Sequence, residues 1–338
     1  MTDEREERQS VPYDQGPTAT RPHERPRADV GSVAWGQITR GRLTRRQTAV
    51  FAARSLPEIL LLLRTHARLR RGRRGSTEVN PDTMTVPDTP LCRAAEQCAR
   101  RHYAGGPLER HAYRTIAYAH AIASIDHIDV DPELLWCAAL LHDIGLPSPV
   151  AGHCFAVRGS HTAQALATEA GTSAARSTLL AEAISRHPMP GLNRHTQPLA
   201  YLVNVAALLD LTGRRLDNLS ADSVTALLDL QPRAGLERTL ITQWTAEAAM
   251  VPRGRASIAR ALGFLLATAS PLTRPAHNEE ACPRSRSATC RSAPASSRHK
   301  NQRPMALPCK VLSCYLSERR VLRTMCLSYI IFGEHRRR

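Results

Sequence analysis

In CAALLHDIGL, residues 137–146, a histidine and an aspartate follow directly on an apolar run. An aspartate buried without a partner costs several kcal/mol, so His142 and Asp143 need compensation at the end of what reads as a buried helix. Two further apolar faces carry ligand-type groups. His111 lies in LERHAYRTIAYAHA with Tyr118 and Ile122 on its face, and Asp210 ends LAYLVNVAALLDLTG beside Val203, Ala206 and Ala207. A helical bundle brings such faces together, and a divalent ion would compensate all of these groups at once. His111, His142, Asp143 and Asp210 offer two imidazoles and two carboxylates, a set suited to one Zn, Fe, Mn or Ni ion rather than to Ca or Cu(I). The plainer alternative is that Asp143 pairs with an arginine and His142 hydrogen-bonds a carbonyl.

A water on such an ion is acidified, and the same ion can polarise an electrophile. Two carboxylate ligands make the ion a weaker acid, so a nearby base becomes useful. Asp143 is expected to bind through one oxygen and accept a proton with the other. Arg114, three residues after His111, is a candidate orienting group for substrate or for a carboxylate ligand.

The elements that must position these residues read as helices throughout. Apolar residues recur at three- and four-residue spacing over 91–103, 108–125, 132–142, 159–170, 173–186, 198–212, 221–230, 238–250 and 256–267. Asp131-Pro132 reads as a cap followed by proline at the first helical position, Ser220 as another cap, and Gly171 and Gly213 as stops. No run alternates like a strand for long, so the fold class is all-α. Residues 1–30 read as disordered, 45–71 as a helix running into a linker, RLRRGRRGS, and periodicity fails after Pro271. A stretch at 311–332 could form a short helix or strand without an evident partner.

The formal charge of +16 lies in the flanks: residues 1–77 carry 16 Arg against 8 acids, 274–338 carry 14 bases against 4 acids, and 78–273 carry 16 bases and 18 acids. Basic flanks rich in Pro, Ser and Arg read as solvated and disordered, with a nucleic-acid or anionic-membrane arm as the alternative. The slightly acidic middle is not expected to bind nucleic acid. Nine cysteines without a C-x-x-C, behind the charged start MTDEREERQS, argue against a disulfide framework or zinc ribbon and for a reducing, cytoplasmic setting. LPEILLLL, residues 56–63, contains Glu58 between Arg54 and Arg64 and is too short to span a bilayer. It is expected to pack on a globular body, with an interfacial helix as the alternative.

The order RHAYRT, LLHDIGL, LLDLTG resembles the H, HD, D pattern of the HD-domain metal-dependent hydrolases over about residues 87–268. VPDTPL, HAYRT, FAVRGS and AISRHPMPG are similar to the cyanamide-hydratase-like branch of that family. The resemblance implies an HD-domain helical bundle at 84–270, between a basic extension at 1–83 with one helix and a basic, Cys-containing tail at 271–338. Family-like sequence begins near Met84, so residues 1–83 are expected to be an appendage, or translation to start at Met84. The resemblance also turns His187 towards the site, where it is a candidate proton shuttle beside Asp143 and Arg114. The sequence departs from the HD-GYP phosphodiesterases, because Leu146 stands where HDIGK has lysine and no GYP triplet occurs. The expected activity is metal-dependent hydrolysis of a small molecule, as a phosphohydrolase. The alternatives are hydration of a small nitrile-type substrate and a non-catalytic scaffold or nucleic-acid-binding protein. Substrate, metal identity and oligomeric state stay open.

Overall fold

The computed structural model describes residues 28–264 and 271–273. The expected disordered segments fall largely at residues 1–27 and 274–338, outside the described residues, as does the stretch at 311–332. Among the described residues there are eleven α-helices and no β-strand: α1 (Val33–Thr39), α2 (Arg45–Arg70), α3 (Pro90–Tyr103), α4 (Pro107–Asp126), α5 (Pro132–Leu141), α6 (Phe155–Glu169), α7 (Ala174–Arg186), α8 (Pro198–Thr212), α9 (Ala221–Leu230), α10 (Leu236–Met250) and α11 (Arg255–Ala261). The all-α class holds, and α3 to α11 are the nine helices expected from periodicity.

Proline starts α3, α4, α5 and α8, where its missing N–H would have had no helical partner anyway. The Asp131 side chain caps α5 by accepting from the Leu134 N–H. Gly213, at φ 77°, ends α8 in the left-handed conformation that glycine adopts without a Cβ clash. α6 begins a turn earlier than its periodicity indicates, at Phe155 instead of residue 159. Its first N–H groups have no local side-chain cap; Phe155 N–H donates to Glu247 Oε1 of α10 at 2.8 Å. A cap supplied from 92 residues away leaves no local signature. α11 ends at Ala261, short of the expected 267, and residues 265–270 lie outside the described residues.

α5 is the axis of the body, touching α3, α4, α7 and α8. Every residue from Leu134 to Leu141 is buried, as expected of a helix that is apolar all round. α4 pairs closely with α8, and α6 with α7. After Leu141 the chain tightens into successive turns, with Ile144 N–H donating to Leu141 O and Leu146 N–H to Asp143 O. His142 and Asp143 therefore sit at the buried end of the central helix.

Residues 28–83 carry two helices, and these pack against the rest. Trp35, Leu43 and Phe51 share a cluster with Met189 and Ile258, and the Arg255 guanidinium lies 5.4 Å from the Trp35 ring centroid. Farther along α2, Thr65 donates to Asp217 Oδ1 at 3.1 Å, and Arg68 pairs with Asp217 Oδ2 at 2.7 Å. The stretch expected as a linker also runs against the body: Ser220 N–H donates to Thr77 O, and a Cβ on Gly75 would lie 1.9 Å from the Asn218 carbonyl oxygen. The boundary expected near Met84 is thus bridged by contacts from α1, α2 and residues 75–79. Trp35→Ala is predicted to cost about 3–5 kcal/mol by denaturant unfolding of the full chain, the usual range for a buried Trp. An unchanged midpoint would mean that α1 is an appendage.

Candidate metal centre

Four helix ends supply the site. His111 stands in the second turn of α4, His142 and Asp143 follow α5, His187 follows α7, and Asp210 lies in the last turn of α8. All five are buried, the most exposed being His187 at 5 %. His111, His142 and Asp143 each offer a ligand atom within 4.8 Å of the others.

Hydrogen bonds at the far side of each ring determine which nitrogen faces the centre. His111 Nδ1 lies 2.6 Å from Asp210 Oδ2, His142 Nδ1 2.8 Å from Ala139 O, and His187 Nδ1 2.7 Å from Ile184 O. Carbonyl and carboxylate oxygens only accept, so all three Nδ1 atoms carry the proton and a neutral ring presents a bare Nε2. The His111 and His142 Nε2 atoms meet beside Asp143, and that of His187 faces the other oxygen of the same carboxylate. His111 Nε2 and His142 Nε2 are 3.2 Å apart, His142 Nε2 is 3.4 Å from Asp143 Oδ2, and His187 Nε2 is 3.5 Å from Asp143 Oδ1. Two lone pairs at that separation repel unless a cation or a proton lies between them. Donors at the 2.0–2.1 Å metal–nitrogen distance on a tetrahedral ion are about 3.3 Å apart. The donor set therefore fits a divalent metal.

Asp210 meets the cluster from behind. Its Oδ1 accepts from Arg114 Nε at 2.9 Å and Arg233 Nη1 at 2.8 Å, while Oδ2 accepts from Arg114 Nη2 at 2.8 Å and faces His111 Nδ1. Arg114 Nη1 donates to the carbonyls of Gln231 and Pro232, so the candidate orienting arginine is committed to Asp210 and the 231–232 backbone. Arg233 also donates to the Asp210 carbonyl. Nothing in the sequence marked Arg233, which lies in the non-periodic QPRAG loop after α9.

Burial disfavours charge on every group here, and the neighbours decide the outcome. Asp210 stays well below the usual carboxylate range because Arg114 and Arg233 outweigh burial. Asp143 is likewise held low against burial by His142, and His142 is raised against burial by Asp143. Burial lowers His111 despite Asp210, and brings His187 down to about 4. Aromatic rings lie beside the cluster, and Arg158 Nη2 donates to the Gly145 carbonyl, two residues from Asp143, at 2.7 Å. The Phe155 ring meets His187 edge-on at 5.7 Å between centroids, with Trp244 6.0 Å beyond Phe155. Leu146, at the position of the absent lysine, is fully buried.

The family model described as HD domain matches residues 108–210, an interval that takes in His111, the His142-Asp143 pair and Asp210. No curated protein matches the chain. The match, the all-helical fold and the His–Asp cluster together support the HD-domain superfamily, at the general level of metal-dependent hydrolases. Among the described residues no helix is long and apolar enough to cross a membrane.

Asp210→Ala would leave Arg114 and Arg233 buried without their carboxylate. The predicted loss is about 3–5 kcal/mol in the urea unfolding of metal-free protein. A loss below about 1 kcal/mol, the level of an exposed pair, would mean that the two arginines do not depend on this aspartate.

Proposed function

We propose that this protein is a metal-dependent hydrolase that adds water to a small, uncharged substrate, with the ion held by His111, His142 and Asp143. The observation that carries the choice of substrate class is the commitment of Arg114. Phosphoryl transfer needs cationic or N–H donors beside the reacting oxygens in addition to the ion. Arg114, the cation expected for that task, has its guanidinium taken up by Asp210 and two backbone carbonyls. The ion pairs of Asp143 among the described residues are all with histidines. Phe155 beside His187, and a buried leucine in place of the lysine, favour a neutral substrate. Arg114, so engaged, lends no support to the expected phosphohydrolase reading, and we favour the nitrile-hydration alternative, towards which the HAYRT and FAVRGS resemblances also lean.

A divalent ion in the site would acidify water and polarise the substrate's electrophilic atom. The chain's own residues divide the remaining work. Asp143 Oδ2 faces His111 and His142, while Oδ1 points the other way, to His187. Oδ2 is the oxygen that would hold an ion, and Oδ1 is the one that would take a proton from the attacking water. The turn after α5 presents both oxygens from a buried position, which limits competing water.

The test is a panel on the metal-loaded full chain: cyanamide followed by urea release, with an aryl phosphate and a nucleoside monophosphate followed by phosphate release. Turnover is predicted with the neutral substrate, reduced about 10²–10⁴-fold by Asp143→Asn. Phosphate release without urea formation would restore the phosphohydrolase reading. A metal-replete protein inert to all three would favour the scaffold reading.

A further inference from the structure

We propose that the outer face of α2 is a docking surface for an anionic lipid bilayer, on which the helix lies in the plane of the headgroups. The surface uses none of the residues of the metal centre.

α2 has two faces with different duties. Phe51, Glu58 and Thr65, seven residues apart, form the stripe that meets the body: Phe51 enters an apolar cluster, Glu58 pairs with Arg214, and Thr65 donates to Asp217 Oδ1. His66 Nε2 lies 3.0 Å from the Thr212 carbonyl oxygen, a further tie that keeps this side inward. The opposite side is apolar. Ala49, Ala53, Leu56, Leu60 and Leu63 recur at spacings of four and three, which places them on one face of the helix. Leu56 is 46 % exposed, Leu60 61 % and Leu63 41 %, with Val50 at 44 %. Contiguous exposed apolar side chains of this kind mark an interaction surface.

Charge decides which partner fits. α2 carries six arginines and one acid, and that acid, Glu58, is paired on the body side. Arg45 and Arg46 open the helix, Arg54 and Arg64 bracket the leucines, and none of the four has an ion pair among the described residues. Arg71 and Arg73 continue the run, both exposed. At the start of α2, Arg42, Arg45 and Arg253 line an open cleft of about 400 Å³ with Thr39, Leu43 and Thr44, a basic recess with room for a phosphate headgroup. A second copy of the chain would bring the same arginines against these, and like charges oppose that pairing. Nucleic acid would engage the arginines and leave the leucines in water. An anionic bilayer takes both: the leucines enter the acyl boundary, and the guanidinium groups reach the headgroups on their long stems.

The test is sedimentation of the full chain with vesicles of phosphatidylcholine alone and of an equal mixture of phosphatidylcholine and phosphatidylserine. Binding is expected to the mixture and to be weak or absent with phosphatidylcholine. Leu56→Ser/Leu60→Ser/Leu63→Ser should weaken it about 10²–10³-fold. Arg42→Gln/Arg45→Gln should weaken it about 25-fold, about fivefold per arginine. The serine variant keeps every charge, including those of the basic residues 274–338, so adsorption by charge alone survives it. Undiminished binding in that variant would overturn the proposal, as would equal binding to both kinds of vesicle or none to either. A dimer that the serine substitutions abolish, with no vesicle bound, would give the face to a second copy instead. Should the serine variant fail to fold, Leu60→Trp decides: its emission is expected to shift to the blue on the mixed vesicles, and an unshifted emission from vesicle-bound protein would equally overturn the proposal.

Discussion

The carboxylate of Asp210, surrounded by Arg114, Arg233 and His111 inside the α4–α8 pair, is the interaction on which the centre depends. It places two guanidinium groups and one carboxylate where charge is expensive, and each is tolerable only because the others are present. Its orientation dictates that of His111. With Nδ1 engaged, the opposite nitrogen must face His142 and Asp143. The Ala139 carbonyl does the same for His142, and the Ile184 carbonyl turns His187 towards Asp143.

The fold serves that convergence. α5 is buried along its length and ends at the centre, so the His142-Asp143 turn comes from the most constrained element of the body. α4 and α8 lie side by side and bring His111 to Asp210 across 99 residues of sequence. α7 ends against α8 through Asn204, which holds the His187 carbonyl. The N-terminal helices close the outside: Trp35, Leu43 and Phe51 cover Met189, two residues beyond His187. Rigidity at the centre thus draws on segments from residue 33 to residue 258.

Much of this was legible in the sequence, for identifiable reasons. The helices announce themselves by period, and His111, His142, Asp143 and Asp210 stand out because each interrupts an apolar face. Other features depend on partners that local pattern cannot show. That Arg114 and Arg233 lie on Asp210 is not visible in its local pattern, and Arg233 comes from a loop without periodicity. His187 at a helix end looks like a solvated residue, so only family resemblance turned it inward. The early start of α6 depends on Glu247, and the attachment of α1 on Trp35, whose partners Met189 and Ile258 lie far along the chain.

The central claim is that His111, His142 and Asp143 form a site for one divalent ion. Elemental analysis of the full chain, loaded with zinc and then dialysed against metal-free buffer, tests it most directly, with His142→Ala/Asp143→Ala treated in parallel. The account predicts one zinc per chain in the unaltered protein and none in the double variant. No retained metal in the unaltered chain, or equal retention in both, would contradict it.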